Sequence, residues 1–145
     1  MSEESVIRNA PAPLILVAED LEDSRAMYVE YFTDAGYRVE EAEDGAEAIA
    51  KTRELRPMVI LMDMSMPVVD GWQATEILKT DPETRGVYII ALTGHGEAHF
   101  RQRAKEIGVD AFVLKPCLPS DVLKCVKTCI AGHAPGRTHE TGQAR

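Results

Sequence analysis

The chain has little with which to staple itself together and no stretch suited to a membrane. Its three cysteines, Cys117, Cys125 and Cys129, are an odd number without a C-x-x-C pair. That excludes a fully paired disulfide framework and a paired-cysteine zinc site, and it points to free thiols in a reducing, cytoplasmic compartment. The longest apolar runs fall far short of the roughly 20 residues that span a bilayer. Met1 to Arg8 begins acidic and lacks an apolar core, so no secretory leader is expected. An excess of cations is also missing: 16 Lys and Arg stand against 24 Asp and Glu, for a net charge of -8. Such a chain repels a nucleic-acid backbone, which argues against direct DNA binding.

What is present is a repeated alternation. Four short apolar runs, Leu14 to Ala18, Met58 to Met62, Val87 to Leu92 and Ala111 to Leu114, read as buried strands, and Tyr37 to Glu41 reads as a weaker, more polar edge strand. Between them, apolar residues recur at helical spacing. The first helix covers 23–35, with Met27, Tyr31, Phe32 and Ala35 on one stripe and Gly36 as its stop. The second covers 45–55, with Ala48, Ile49 and Leu55 inward and Pro57 beyond its end. The third follows Gly71, carries Trp72, Ile77 and Leu78, and ends near Asp81-Pro82. The fourth spans Ala98 to Ile107 before Gly108. The fifth spans Ser120 to Ile130 with Val122, Leu123, Val126 and Ile130 apolar. Strand alternating with helix predicts an α/β fold, a parallel sheet covered on both faces. At 145 residues the chain suits one domain over 14–131. The segments 1–13 and 132–145 lack periodicity and are expected to be flexible tails, too short for a second domain.

The residues at the ends of the runs are the chemically informative ones. In order they are Glu19-Asp20, Asp63, Thr93 and Lys115. The carboxyl ends of parallel strands share one edge, where open α/β sheets place their ligand sites. Three carboxylates, a hydroxyl and an ammonium then converge. Carboxylates about 4 Å apart repel by roughly 4 kcal/mol at an effective dielectric near 20. A hard divalent cation removes that repulsion, and magnesium suits Asp20 and Asp63 as direct ligands with Glu19 acting through water. Asp63 can then act as a nucleophile toward phosphorus, since carboxylates form aspartyl-phosphate intermediates. Lys115 offers a compact positive charge and Thr93 a rotatable donor for phosphate oxygens, with Gly94 leaving the approach open.

Taken singly, each residue also has an ordinary explanation. Glu19-Asp20 suits a helix N-terminus, Asp63 a turn, Thr93-Gly94 a loop opening and Lys115-Pro116 a solvated turn. Their joint placement after four strands is what coincidence does not supply. His95, Glu97 and His99 do not follow the H-E-x-x-H order of a zinc site and read as a solvent-facing helix start. Cys125 and Cys129, one turn apart, read as core or boundary residues. Arg101, Arg103 and Lys105 make the fourth helix locally basic, either a solvated face or a docking surface.

From Leu14 to Ala131 the chain resembles the receiver domain of two-component response regulators. The resemblance rests on Ala18-Glu19-Asp20, on the run from Val59 through Asp63 and Met66-Pro67 to Asp70-Gly71, on Ala91-Leu92-Thr93-Gly94, and on the run from Gly108 through Phe112 to Lys115-Pro116. It implies a three-layer (βα)5 doubly wound, flavodoxin-like sheet of order 2-1-3-4-5. It implies Asp63 as phosphoacceptor, Glu19, Asp20, Asp63 and the Ser65 backbone carbonyl as magnesium ligands, Thr93 and Lys115 as phosphoryl contacts, and a cis Lys115-Pro116 bond. It further implies a switch in which Thr93 and Phe112 respond to the phosphate. Phe112 stands where the family often has tyrosine and brings no hydroxyl to that switch.

The function expected on this basis is that of a stand-alone response regulator. It takes a phosphoryl group from a sensor histidine kinase or histidine phosphotransfer protein and signals to a downstream protein through the face of the fourth and fifth helices and the last strand. It is not expected to be an enzyme beyond its own phosphoryl transfer and dephosphorylation. A phosphate-shuttling relay role is the alternative. A magnesium-dependent phosphatase of the haloacid dehalogenase type ranks far lower, because that pattern needs an aspartate two residues after the nucleophile, and the residue there is Ser65.

Overall fold

The computed structural model describes residues 11–132. Five strands, β1 (Leu14–Ala18), β2 (Arg38–Ala42), β3 (Val59–Asp63), β4 (Tyr88–Thr93) and β5 (Ala111–Leu114), alternate with five helices, α1 (Glu22–Asp34), α2 (Gly45–Leu55), α3 (Gly71–Thr80), α4 (Ala98–Ile107) and α5 (Pro119–Ala131). All pairings are parallel, and the strand order is β2-β1-β3-β4-β5, as expected. The segments set apart in the sequence as tails lie mostly outside the described residues.

The sheet splits the core in two because side chains alternate along a strand. Leu16, Ala18, Ile60, Met62, Ile89 and Ala91 face one way, against Ala48 and Ile49 of α2, Trp72 and Leu78 of α3 and Ala104 of α4. Ile15, Val17, Val59, Leu61, Ile90 and Leu92 face the other, against Tyr28 and Phe32 of α1 and Val122 and Val126 of α5. Burial on both faces explains why β3 reads as an uninterrupted apolar run before Asp63. Phe32 is fully buried, which contributes about 1.5–3 kcal/mol.

Local chemistry sets the helix ends. Asp44 caps α2 by accepting from the Glu47 N–H at 2.8 Å. Asp70 and Gln73 form a reciprocal capping box at the start of α3. Arg56, at φ 50°, and Gly108, at φ 94°, close α2 and α4 in the left-handed region. The Lys79 ammonium fastens α3 to the far side of the sheet, donating to Asp110 Oδ2 at 2.8 Å and to the Val87 carbonyl at 2.6 Å.

Several inward residues differ from expectation. On α1 the buried residues are Arg25, Tyr28 and Phe32. Met27 is exposed, as is Ala35. Arg25 turns inward because carboxylates at the end of β2 receive its guanidinium, a destination apolar periodicity does not reveal. On α3, Ile77 is exposed and Thr75 is buried in its place. Strands β2, β3 and β4 are each shifted by one residue, so Asp63 and Thr93 are the last strand residues and not the first loop residues.

Candidate functional site

Strand register delivers the site. Ala18 pairs with both Ala42 and Met62, Asp63 pairs with Leu92, and Thr93 pairs with Leu114. Glu19, Asp20, Asp63, Thr93 and Lys115 therefore leave the sheet at the same edge. Oxygens of Glu19, Asp20 and Asp63 lie within 4.8 Å of one another. Glu19 and Asp63 are buried, whereas Asp20 is exposed.

The Asp63 carboxylate is held from two sides. Its Oδ1 accepts the Ser65 N–H at 3.0 Å, and its Oδ2 lies 3.3 Å from the Lys115 ammonium. Lys115 also stands 4.0 Å from Glu19 Oε1, while Glu19 Oε2 accepts the Leu21 N–H at 3.3 Å. Burial, followed by the neighbouring Asp63 carboxylate, pushes the Glu19 carboxyl up to about 8, with the Leu21 N–H and Lys115 opposing. Without a cation, the buried Glu19 carboxyl therefore favours its protonated form.

The backbone around these residues is close-packed. A Cβ on Gly71 would lie 2.5 Å from the Asp63 carbonyl oxygen and 2.5 Å from Met64 Cα, so α3 begins directly against the end of β3. Val68, 80% exposed, has φ 68°, a strained conformation for a β-branched residue. The Lys115-Pro116 peptide is cis. Lys115 N–H donates to the Thr93 carbonyl at 2.7 Å, tying the two strand ends together.

Thr93 is buried, and its Oγ1 accepts the His95 N–H at 3.1 Å. Phe112 is buried on β5, with the Arg101 guanidinium 4.9 Å from its ring centre. Arg103 lies similarly over Trp72, at 4.6 Å. The basic stretch of α4 is therefore only partly a solvated face. His95 and His99 are exposed and pack on Phe100. Among the described residues, the metal-capable acidic or His/Cys cluster is Glu19, Asp20 and Asp63 and does not include these histidines. Cys125 and Cys129 are buried, as expected, and all three thiols are free.

One residue at this edge escapes sequence reasoning. Arg25 donates from Nη1 to the Glu19 carbonyl at 2.9 Å and from Nε to Glu41 Oε1 at 2.8 Å. A single arginine in an otherwise polar helix start gives no sign of this; only the acidic run Glu40-Glu41-Ala42-Glu43, placed beside β1 by strand pairing, could have suggested it.

Residues 15–127 match the response regulator receiver domain, and the chain belongs to that family, whose members signal by phosphorylation. It is 35% identical over 114 residues to the chemotaxis protein CheY of Thermotoga maritima, covering 77% of this chain and 92% of that one. It is 30% identical over 114 residues to the polar-differentiation response regulator DivK of Brucella anthropi, covering 79% of this chain and 93% of that one. Among solved structures it resembles Vibrio cholerae CheY4, at TM-score 0.76 and 32% identity over 81% of this chain and 98% of that one. It also resembles the receiver domain of the sensor histidine kinase PA1611 of Pseudomonas aeruginosa, at TM-score 0.76 and 28% identity over 83% of this chain and 98% of that one. That structure carries a magnesium ion coordinated in the active site cleft. No described helix is long and apolar enough to cross a membrane.

Proposed function

We propose that the chain is a phosphorylation-operated response regulator whose acceptor is Asp63. The observation that carries this reading is the Asp63 carboxylate itself: buried, aimed by the Ser65 N–H at 3.0 Å and flanked by Lys115 at 3.3 Å. In the transfer, an Asp63 oxygen forms a bond to phosphorus as the phosphorus–nitrogen bond of a phosphohistidine breaks, and the imidazole leaves and takes up a proton. The donor is a sensor histidine kinase or a histidine phosphotransfer protein.

The donor set fits a hard cation, since the clustered oxygens of Glu19, Asp20 and Asp63 and the Ser65 carbonyl are all oxygen ligands. Bound there, magnesium offsets carboxylate repulsion and withdraws charge from the phosphoryl group. Lys115 and Thr93 then contact the phosphoryl oxygens. Drawing the Thr93 hydroxyl to the phosphate removes the acceptor of the His95 N–H, and the β4–α4 loop and Phe112 adjust. A downstream protein reads the change on the face of α4, β5 and α5. The chain catalyses only its own phosphorylation and dephosphorylation, and the free thiols suit a cytoplasmic setting.

Incubation with a phosphohistidine-bearing phosphotransfer protein and magnesium tests this. Label is expected to move to the wild-type chain and not to Asp63→Asn, and transfer to Asp63→Asn would sink the assignment. If label then passes rapidly from the chain to a second phosphotransfer protein, the output is relay; if it stays while a target binds, the output is allosteric.

A further inference from the structure

We infer that Arg25 is a positioning residue for the magnesium edge of the site, an inference that rests on the magnesium reading above. Both polar groups of the Glu19 backbone are taken: its N–H donates to the Ala42 carbonyl at 3.0 Å, and its carbonyl accepts from Arg25 Nη1 at 2.9 Å. Arg25 also opens α1, donating its backbone N–H to the Leu21 carbonyl at 2.9 Å. The turn carrying Glu19 and Asp20 is thus gripped between the side chain and the backbone of one residue.

The guanidinium is in turn aimed from outside. Its Nε meets Glu41 at 2.8 Å and its Nη2 meets Glu43 at 3.4 Å, and while the Arg25 side chain is only 10% exposed, those of Glu41 and Glu43 are 52% and 68% exposed. A planar fork is what this geometry uses, since its nitrogens serve a carbonyl and two carboxylates in different directions. Exposed Asp20 makes no side-chain hydrogen bond among the described residues that would fix it independently. The Glu19–Asp20 peptide that leads to it has its carbonyl held by Arg25, and the preceding peptide has its N–H held by the Ala42 carbonyl. Magnesium demands near-ideal octahedral geometry, so an acidic turn free to shift binds it less well.

Charge and position make opposite predictions here. As a charge alone, a cation behind the cluster repels magnesium, and removing it tightens binding. As a clamp, its removal loosens binding, and a lysine that keeps the charge but lacks the fork does not restore it.

Isothermal titration with magnesium distinguishes them, each variant first being shown to fold by circular dichroism and a cation-free melt. Arg25→Lys and Arg25→Met are each expected to weaken magnesium binding about tenfold. Glu41→Ala, altered only at an exposed partner, weakens it about threefold and stands in if Arg25→Met does not fold. Binding by Arg25→Lys within about twofold of wild type, or tighter binding by Arg25→Met, overturns the inference while leaving the magnesium reading intact. Absence of magnesium binding by the wild-type chain overturns both.

Discussion

The Lys115 ammonium lies 3.3 Å from Asp63 Oδ2, with the lysine side chain 35% exposed and the aspartate only 4% exposed. The lysine is the built-in counter-ion of a buried carboxylate. Because solvent screens its exposed side, Lys115→Met is expected to cost about 1 kcal/mol in cation-free buffer, well below the loss from breaking a fully buried pair. Saturating magnesium, supplying the missing charge, should shrink that loss. Urea unfolding with chelator and with magnesium reads both values, and an equal loss in the two buffers would count against the shared role.

The raised Glu19 carboxyl gives a pH signature. Its folded value, about 8, exceeds the ordinary 4.5, so the folded chain keeps a proton that the unfolded chain releases. The cation-free protein is therefore expected to have this contribution in full below about pH 4.5 and to lose it as the pH rises toward 8. Magnesium at this cluster is expected to expel the proton, so its affinity should rise through the same window. Calorimetry at pH 7 in buffers of different ionisation heat should show proton release, and buffer-independent heats would contradict it.

Val68 holds φ 68° with its side chain 80% exposed, so the strain is not repaid by burial. Asparagine tolerates that conformation, and Val68→Asn is expected to gain about 1 kcal/mol. Val68→Gly gains less, because glycine loses more freedom on folding. Thermal melts decide, and a loss of stability in Val68→Asn would show that the side chain is used for packing.

Gly71→Ala places a methyl 2.5 Å from the Asp63 carbonyl oxygen. Backbone must move, at about 2–3 kcal/mol. Because the displaced atoms belong to Asp63 and Met64, the folded variant should also accept phosphate more slowly, as measured by a phosphorylation time course. Normal rate and stability together would mean that α3 does not abut the end of β3 at Asp63.

The sheet and the polar cluster at its edge are legible because two independent patterns agree: apolar runs give strands, and the polar residue ending each run gives the candidate site. Asp63, Thr93 and Lys115 stand out in the sequence as the residues that end these runs, and strand pairing brings them to one edge. Arg25 does not stand out, because its role depends on Glu41 and Glu43, brought near by β1–β2 pairing and not by sequence distance. Met27 and Ile77 are exposed against their periodicity for a related reason: helical spacing identifies apolar residues, but neighbouring elements decide which of them is covered. The stacking of Arg101 on Phe112 and of Arg103 on Trp72 likewise arises only once α4 is laid beside β5 and α3.

The most direct measurement is the intact mass of the chain after incubation with a small acyl-phosphate donor, with and without magnesium. Wild type is expected to gain one phosphoryl group only when magnesium is present, and Asp63→Asn none. An adduct on Asp63→Asn, or an equal adduct in chelator, would contradict the magnesium-assisted chemistry assigned to Asp63.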